Sequence, residues 1–290
     1  MKVTKIREAF CHGLWSPTKS DFLFSLNCLP LNEQQVALRF AYQRDVLSSM
    51  VGKLLIRGTA VRYLKISPHD VKLERSPEGR PYILGYSDVL DFNISHGGDF
   101  TIIAATPVGR CGADVMPIEL PAFQRSVNDF VLKMKDVFSS TEVNRILSSG
   151  SEAEKMRKFY EHWCFKEAYV KALGCGLRIP LKTIECQFSD DGNEFSISNE
   201  LTNQPDKNWA FEKHSLPENH LAVVAWFENT YVETKTSTSF SQLTFEQLVD
   251  KLAVLSPVDN TAWDQFLRKP HSPPSSRQRI QVNQFRFNSL

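Results

Sequence analysis

One stripe of the segment 159–174 carries residue types that could do chemistry. Phe159, Trp163, Glu167 and Lys171 recur every four residues, so on a helix they would share one face. A carboxylate beside a tryptophan on a core-facing stripe loses hydration unless a cation or metal ion compensates it. The alternative is an exposed Glu167–Lys171 ion pair, which would contribute only about 0.3–0.5 kcal/mol. The aromatic residues favour the first interpretation.

A second carboxylate interrupts an apolar segment. Asp114 lies within Gly112-Ala-Asp-Val-Met116, where it would serve either as a turn cap or as a ligand. Two carboxylates, Asp114 and Glu167, together with basic residues that could bind phosphate, are typical of a site for Mg²⁺ and a pyrophosphate.

A polar tip follows another predicted strand, within Asp91-Phe-Asn-Ile-Ser-His-Gly-Gly98. Alternation places Phe92 and Ile94 on one face and Asn93 and Ser95 on the other. Hydroxyl, imidazole and backbone N–H groups at a strand end suit anion binding. A polar turn with a hydrogen-bonded histidine explains the same residues equally well.

Two arginines flank a tight turn in Arg75-Ser-Pro-Glu-Gly-Arg-Pro81. Glycine at a turn lets backbone approach a ligand, and two guanidinium groups can bind a phosphate through paired hydrogen bonds. Taken alone, the segment is better explained as a solvated hairpin turn with surface charges.

Two long helices and several short strands are predicted to position these residues. Apolar positions with a 3.6-residue period predict a helix over 45–64. Capping-box patterns begin at Ser139 and at Ser151, and the second opens a helix from about 152 to 173 that ends at Gly174. Strands are predicted over 3–12, 71–75, 81–84, 91–95, 101–106, 109–115, 183–188, 209–213 and 221–227.

This order predicts an α+β fold built from two similar halves, residues 1–107 and 108–228. Each half would be a long helix packed on a small antiparallel sheet, although the sequence shows no convincing residue-level repeat. Residues 229–290 form a polar and then basic extension, with a helix predicted over 245–255. The tail from Arg268 is expected to be extended or disordered unless it docks on the body.

Composition and charge exclude some functions. Lys and Arg total 34 and Asp and Glu total 33, so no whole-chain charge favours nucleic acid or a membrane surface. The six cysteines are scattered without a Cys-x-x-Cys pair, which argues against a zinc site or a disulfide framework. There is neither an apolar run near the ~18 residues that span a bilayer nor a signal-peptide pattern. We therefore expect a cytosolic protein.

Together and in this order, these segments resemble the 4′-phosphopantetheinyl transferases of the long, two-lobed type, especially the broad-specificity enzymes of animal cytosol. The resemblance covers roughly residues 5–228 and rests on four motifs: Arg75-x-x-x-Gly79-Arg80-Pro81, Phe92-Asn93-Ile94-Ser95-His96, Gly112-Ala-Asp114-Val-Met116 and Trp163-x-x-Lys166-Glu167-Ala-x-x-Lys171-Ala-x-Gly174.

The resemblance implies a monomer whose two halves are related by a pseudo-twofold axis, with coenzyme A in the cleft between them. It implies that Asp114 and Glu167 bind Mg²⁺ with the pyrophosphate, and that Lys171 neutralises phosphate charge. The implied coenzyme A contacts are Arg75, Ser76, Gly79, Arg80, Asn93, Ile94, Ser95, His96, Glu167 and Lys171. The implied protein partners are apo acyl carrier protein or carrier domains, such as those of fatty acid synthase or aminoadipate-semialdehyde dehydrogenase.

The sequence departs from the family pattern at three places. Arg80 stands where the family commonly has lysine, and its planar guanidinium differs in geometry from a point charge. Met116 stands where bacterial relatives have a third acid, so one more water would complete the metal's ligands. The family also has a phosphate-binding basic residue before the first long helix, and Arg39, Arg44 or neither could fill that role.

In the implied reaction a carrier serine attacks phosphorus and 3′,5′-ADP leaves, which is largely an electrostatic and positioning task. Glu167 is the candidate base, directly or through a metal-bound water. The competing hypothesis is a non-catalytic protein that binds coenzyme A or a carrier and has kept only the fold. Because Asp114, Glu167 and Lys171 are all present, we expect an enzyme.

Overall fold

The computed structural model describes residues 5–122, 124–174, 179–188, 195–199, 204–205, 208–227 and 239–272. The first part of the chain contains β1 (Ile6–Cys11), α1 (Lys19–Asn27), α2 (Leu31–Leu38), α3 (Gln43–Leu64), β2 (Leu73–Arg75), β3 (Pro81–Ile83), β4 (Asp91–Gly97) and β5 (Phe100–Thr106). The second part contains β6 (Arg110–Pro117), α4 (Val127–Lys133), α5 (Ser140–Leu147), α6 (Glu152–Leu173), β7 (Ile184–Phe188), β8 (Phe195–Asn199), β9 (Gln204–Pro205), β10 (Trp209–Leu216) and β11 (His220–Phe227). The last part contains β12 (Ser241–Gln242), α7 (Phe245–Val249) and α8 (Thr261–Leu267).

The described strands form small sheets in the orders β12-β1-β5-β4, β10-β11-β6, β2-β3 and β7-β8-β9. Neighbouring strands are antiparallel, except that β12 runs parallel to β1. The protein is therefore a mixed α+β structure with small antiparallel sheets, as the sequence predicts.

Three apolar clusters hold these layers together. Helix α3 buries residues such as Met50 and Leu54 against Phe92 and Ile103 of the first sheet. Helix α6 buries its own aromatic residues against β11 of the second sheet. A third cluster joins the opposite faces of the two sheets, with members from β1, β5, β6 and β11. The two sheets thus meet along β4 and β6, and the long helices lie outside them.

Local sequence signals account for the ends of the long helices. Ser151 forms the predicted capping box with Glu154, and α6 ends where Gly174 adopts φ = 70°. Ser139 and Glu142 form the other predicted box at the start of α5. Helix α3 begins two residues earlier than predicted, at Gln43, and ends before Ser67 and Pro68 as expected.

The segment 239–272 packs against the first part of the chain. Phe266 stacks on Phe22 with ring centroids 4.5 Å apart. The N–H of Gln43 donates to the carbonyl of Pro270 at 3.0 Å, so the described start of the tail docks on the body. The predicted helix over 245–255 is too long, because α7 ends at Val249. The remaining tail, 273–290, lies outside the described residues.

Four helices were not predicted from the sequence: α1, α2, α4 and α8. Each has nine residues or fewer, so its periodic pattern is short and its formation depends on packing rather than on intrinsic propensity. Across the ranges that the structure describes, no helix is both long and apolar enough to cross a membrane.

Candidate active site

Helix α6 lies directly on strand β6 because Gly112 has no side chain. A Cβ atom at Gly112 would stand 1.9 Å from the carbonyl oxygen of Ala168 and 2.4 Å from the nitrogen of Ala172. Such distances are shorter than any real contact, so this close packing requires glycine. The contact sets the height of Glu167 and Lys171 above the strand that carries Asp114.

Asp114 is the centre of a buried polar cluster. Its side chain is 3% exposed, and its Oδ1 atom lies 2.7 Å from Lys171 Nζ. The same oxygen accepts a hydrogen bond from Ser95 Oγ at 3.1 Å. Lys171 Nζ also lies 2.9 Å from Ser95 Oγ. The structure thus brings together three predicted site residues from α6, β4 and β6.

Glu167 is the second buried carboxylate, with 3% exposure. Burial raises the pKa of Glu167 to about 8, the Asp114 carboxylate adds to that rise, and the Lys171 ammonium opposes it. Glu167 Oε1 and Asp114 Oδ2 are both buried, and among the described residues neither has a hydrogen-bond donor. Two carboxylate oxygens without donors in a dry environment are costly unless a ligand meets them.

These two carboxylates fit a divalent cation. Mg²⁺ is commonly bound by one or two carboxylates, with waters and substrate phosphates as the remaining ligands. Across the described ranges, no group of three or more His, Cys, Asp or Glu side chains is gathered for a metal. A cation held by Asp114 and Glu167 would therefore take its other ligands from water and substrate.

The predicted aromatic stripe on α6 is buried, whereas the alternative of an exposed Glu167–Lys171 pair is wrong. Phe159 and Trp163 are at most 1% exposed and belong to the core under α6. In the part of the chain that the structure describes, Lys171 forms its ion pair with Asp114 rather than with Glu167.

Strand β4 presents its two faces as predicted. Phe92 and Ile94 enter the core under α3, whereas Asn93 and Ser95 face β6. Asn93 Oδ1 accepts the N–H of Ala113 at 2.9 Å, a side-chain bond that links the two sheets. Asn93 is 2% exposed, so its side chain serves the joint between sheets.

His96 lies near the end of β4, where it reaches solvent although protein atoms surround it on most sides. The pKa of its imidazole is lowered by desolvation first and by the Lys171 ammonium second, while Asp114 opposes the shift. His96 follows Ser95, whose Oγ atom contacts both Asp114 and Lys171, so both charges act on the His96 ring. Its neutral ring at physiological pH would be a hydrogen-bonding group rather than a charge.

The Arg75–Arg80 turn is well formed. Ser76 N–H donates to the carbonyl of Arg80 at 2.9 Å, and Gly79 N–H donates to the carbonyl of Ser76 at 2.8 Å. Arg75 Nη1 lies 2.7 Å from the Gly79 carbonyl. The hairpin expected from the sequence is thus present, and both alternatives for its function, a solvated turn or a phosphate site, stay open for Arg75.

Arg80 has a different environment from Arg75. Its Nη2 atom lies 2.7 Å from Asp91 Oδ2 and donates to the carbonyls of Phe92 at 3.0 Å and Cys111 at 2.8 Å. Its Nη1 donates to the Lys171 carbonyl on α6. Arg80 therefore joins β4, β6 and α6, and a direct phosphate contact for it stays a prediction.

A cavity of about 770 Å³ opens beside this turn. That volume is in the range of small-molecule sites. Both sheets contribute to its walls, which include Ser76, Arg80, Tyr82, Asp91, Gly109 and Gly174.

Comparison with known proteins accounts for this arrangement. The family described as 4′-phosphopantetheinyl transferase, N-terminal, matches residues 13–108, and the 4′-phosphopantetheinyl transferase superfamily matches residues 110–225. The 4′-phosphopantetheinyl transferase pptA of Paxillus involutus is 30% identical over 216 residues, 68% of this chain and 79% of that protein. This chain belongs to the 4′-phosphopantetheinyl transferase superfamily.

Two further relatives extend the comparison. L-aminoadipate-semialdehyde dehydrogenase-phosphopantetheinyl transferase of Xenopus laevis is 29% identical over 283 residues, 92% of this chain and 93% of that protein. The 4′-phosphopantetheinyl transferase Sfp of Bacillus subtilis is 29% identical over 156 residues, 53% of this chain and 64% of that protein. The chain is thus a transferase that moves phosphopantetheine onto carrier proteins, and the non-catalytic alternative is not supported.

Arg39 and Arg44 are the two candidates from the sequence for the phosphate-binding residue before the first long helix. Arg44 lies at the start of α3, where its Nη2 is 2.7 Å from Asp99 Oδ1. Arg39 is the C-cap residue of α2. The Arg44–Asp99 ion pair does not involve the carboxylate pair. A phosphate contact for either arginine stays a prediction.

Two lysines are buried although the predictions from the sequence do not include it. Lys53 lies in α3 and is 3% exposed. Lys166 belongs to the Trp163–Gly174 motif. Its Nζ lies 2.5 Å from Glu142 Oε2, and both side chains are fully buried.

For Lys166 the available signal was its position, because Trp163, Tyr169 and Val170 share its face of the helix. Lys53 has Ser49 and Arg57 one turn away on either side, so its face of α3 gives no such signal.

Proposed function

We propose that this transferase moves the 4′-phosphopantetheine group of coenzyme A to a serine hydroxyl of an apo carrier protein in a Mg²⁺-dependent reaction that releases 3′,5′-ADP. The observation that carries the proposal is the pair of buried carboxylates, Asp114 and Glu167. Each has one oxygen that no donor in the described part of the chain reaches. Lys171 supplies a positive charge beside them.

The proposed chemistry uses few protein groups. Mg²⁺ bound by Asp114 and Glu167 would neutralise charge on the pyrophosphate oxygens. The serine oxygen bonds to the pantetheine-side phosphorus, while the bond from that phosphorus to the oxygen of the leaving 3′,5′-ADP breaks. Glu167 accepts the serine proton, directly or through a water. Lys171 and Ser95 orient Asp114 and add donors for phosphate oxygens.

Coenzyme A is proposed to lie in the cleft between the two sheets, with its adenosine towards the Arg75–Arg80 turn. Ser95 and His96 would bind phosphate beside Lys171, because Lys171 Nζ lies 2.9 Å from Ser95 Oγ and His96 follows Ser95 in β4. Asn93 and Ile94 are buried, so they would contribute through backbone groups. Arg75, Ser76 and Gly79 would bind from the turn, and Arg80 would hold the cleft in shape while adding positive charge.

The wider setting is proposed from the same resemblance. The two halves would be related by a pseudo-twofold axis, which the equal lengths of α3 and α6, 22 residues each, support. The acceptors would be acyl carrier protein or the carrier domains of fatty acid synthase or aminoadipate-semialdehyde dehydrogenase. The enzyme would act as a monomer in the cytosol.

The test is to incubate the protein with coenzyme A, Mg²⁺ and an apo acyl carrier protein and then to measure the carrier's mass. We expect the mass to rise by one phosphopantetheine and 3′,5′-ADP to appear in equal amount. Excess EDTA and the Asp114→Asn variant should each abolish the shift, while circular dichroism of the variant stays native. Transfer that persists in EDTA would contradict the metal assignment.

A further inference from the structure

The edge strands β4 and β6 belong to different sheets and are linked by side chains of β4. Three of these links follow one another at every second residue of β4: Asp91 Oδ2 accepts the Cys111 N–H at 2.7 Å, Asn93 Oδ1 accepts the Ala113 N–H at 2.9 Å, and Ser95 Oγ donates to Asp114 Oδ1 at 3.1 Å. The last link reaches the buried carboxylate pair. The fit of β4 on β6 therefore sets the position of Ser95 in the site.

The turn between β4 and β5, residues 97–99, lies directly on the second sheet. A Cβ atom at Gly97 would stand 2.0 Å from the carbonyl oxygen of Val115 on β6. A Cβ atom at Gly98 would stand 2.0 Å from the Nε2 atom of His220, the first residue of β11. Because both distances are shorter than any real contact, two successive glycines are required here, and the backbone of the turn packs against β6 and β11.

His220 bonds this turn to the second sheet. Its Nε2 atom accepts the backbone N–H of Asp99 at 3.0 Å, and its Nδ1 atom lies 3.0 Å from the Pro217 carbonyl. Because Nε2 is the acceptor, the ring proton belongs on Nδ1, which then donates to Pro217. The residue is 3% exposed, and its ring meets Phe100 edge-on with centroids 5.0 Å apart. Both ring nitrogens are thus bonded to backbone, so the imidazole fixes the position of the turn.

Asp99 is also bonded within the first part of the chain. Its Oδ1 atom lies 2.7 Å from Arg44 Nη2 at the start of α3. Its carbonyl accepts the N–H of Gly13, which follows β1, at 3.0 Å. Among the described residues, the hydrogen bond to His220 is the one that joins Asp99 to the second sheet. Without that bond the turn would stay attached to α3 and β1 and could move away from β6.

We infer that His220 is a positioning residue of the transferase, which holds the β4–β5 turn on the second sheet through Asp99 and so keeps Ser95 in the site. This inference rests on the proposed function. Ser95 precedes Asp99 by four residues across the turn. If the turn moved, Ser95 Oγ would lose its contacts with Asp114 at 3.1 Å and with Lys171 at 2.9 Å. Because a shift of ~1 Å at a reacting site costs about 100-fold in rate, His220 can control the rate without touching the substrate.

The experiment compares His220→Gln with His220→Asn. The amide oxygen of glutamine can take the position of Nε2 and accept the Asp99 N–H, whereas asparagine reaches only the position of Nδ1 and can donate to Pro217. We expect kcat/KM for coenzyme A to fall about 10–100-fold in His220→Asn. In His220→Gln it should stay within about threefold of wild type, because the bond to the turn is kept. Rates are measured where circular dichroism shows each variant to be folded, so a merely structural role would leave both at the wild-type rate.

A double variant tests the route through Ser95. If His220 acts by placing Ser95, then His220→Asn should cost less than about threefold in a Ser95→Ala background, because the two changes remove one function. Fully additive losses would overturn that route. The matched control is His214→Asn, which removes an imidazole from the neighbouring strand β10. His214 Nε2 lies 3.4 Å from Glu212 Oε2, away from the turn, so this variant should keep the wild-type kcat/KM.

A His220→Asn variant with the wild-type kcat/KM would overturn the inference, as would a His220→Gln variant equally impaired. If His220→Asn does not fold, His220→Leu, which fills the same space without a hydrogen bond, decides by the same criteria. A wild type that modifies no carrier would refute the proposed function instead. The affinity of the same variants for coenzyme A, measured by titration calorimetry, would then decide the inference, since it should be lower in His220→Asn than in His220→Gln.

Discussion

Lys171 Nζ lies 2.7 Å from Asp114 Oδ1, an ion pair that ties helix α6 to strand β6 inside the site. The bond uses one carboxylate oxygen, and the other, Oδ2, has no donor within the ranges that the structure describes. The lysine therefore orients the aspartate without satisfying it, and the unsatisfied oxygen is the one available to a metal ion. The distance between helix and strand sets this geometry, and it depends on the Gly112 contact.

Gly112→Ala should separate α6 from β6, because its Cβ would overlap the Ala168 carbonyl. We expect a loss of about 1–3 kcal/mol in unfolding free energy. Transfer should fall by about 100-fold, since displacement of a catalytic group by ~1 Å costs that much. Urea unfolding and carrier modification measure the two effects.

Gly150→Ala is the control, because the nearest atom to its new Cβ is the flexible Glu154 Oε2 at 3.1 Å. A Gly112→Ala variant as active as Gly150→Ala would show that the site tolerates a shifted helix.

Arg80 and Arg75 should behave differently when each is replaced by methionine. Arg80 bonds Asp91 and three backbone carbonyls from two strands and α6, so its loss should cost about 2–4 kcal/mol of stability. Arg75 is partly exposed on the turn, and its loss should cost less than about 1 kcal/mol. Thermal and urea unfolding test the contrast. Similar costs for both variants would show that Arg80 does not join the two sheets.

The two arginines also show what sequence alone could predict. Both were expected to bind phosphate, since residue type and spacing at a turn favour that function. That Arg80 bonds carbonyls of β6 and α6 depends on contacts 31 and 91 residues away, which no local pattern encodes. Conversely, the faces of β4 and the ends of α6 followed from alternation and capping, which are local. Lys53 was missed because a lysine within a helical pattern is usually read as solvent-exposed.

Lys166→Met should destabilise the protein by about 3–5 kcal/mol, because it leaves Glu142 as a buried charge without its partner. The lost ammonium also donates to the carbonyls of Val137 and Leu181, each at 3.0 Å. Chemical unfolding measures the loss.

Lys155→Met, which removes a partly exposed pair with Glu152, should cost less than about 1 kcal/mol. Adding Glu142→Gln to Lys166→Met should recover part of the stability. A double variant less stable than Lys166→Met would argue that Glu142 is held by its backbone donors alone.

His162 should make the protein less stable in acid. Burial lowers the pKa of His162 to about 4 from its ordinary value of 6.5, so the folded state favours the neutral ring. Its contribution is present above pH 6.5 and is lost as the pH falls towards 4, because the unfolded chain then binds a proton that the folded protein resists. The ring packs on Phe188 with centroids 4.7 Å apart, so His162→Phe should keep the packing.

His162→Phe should therefore flatten the dependence of the melting temperature on pH between about 6.5 and 4. The exposed His69, replaced by Gln, is the control and should leave the pH dependence as in wild type. Parallel curves for wild type and His162→Phe would show that other groups cause the acid lability.

Glu167→Gln separates the two functions proposed for this residue. Glutamine keeps the size and helix propensity, so the aromatic core under α6 should still pack and the fold should survive. As a base, Glu167 should contribute about 10²–10⁴-fold to the rate, and as a ligand it should set the Mg²⁺ affinity. The variant should lose turnover even at saturating metal, while the Mg²⁺ concentration needed for half-maximal rate rises. Glu161→Gln removes the same charge from the same helix at its outer surface, where the residue pairs with Lys213, and should retain normal activity. If added Mg²⁺ restored the full rate of Glu167→Gln, the residue would be a ligand only, and a water or another group would have to accept the serine proton. If neither the rate nor the metal requirement changed, the carboxylate pair would not be the reaction centre, despite its burial and its oxygens without donors.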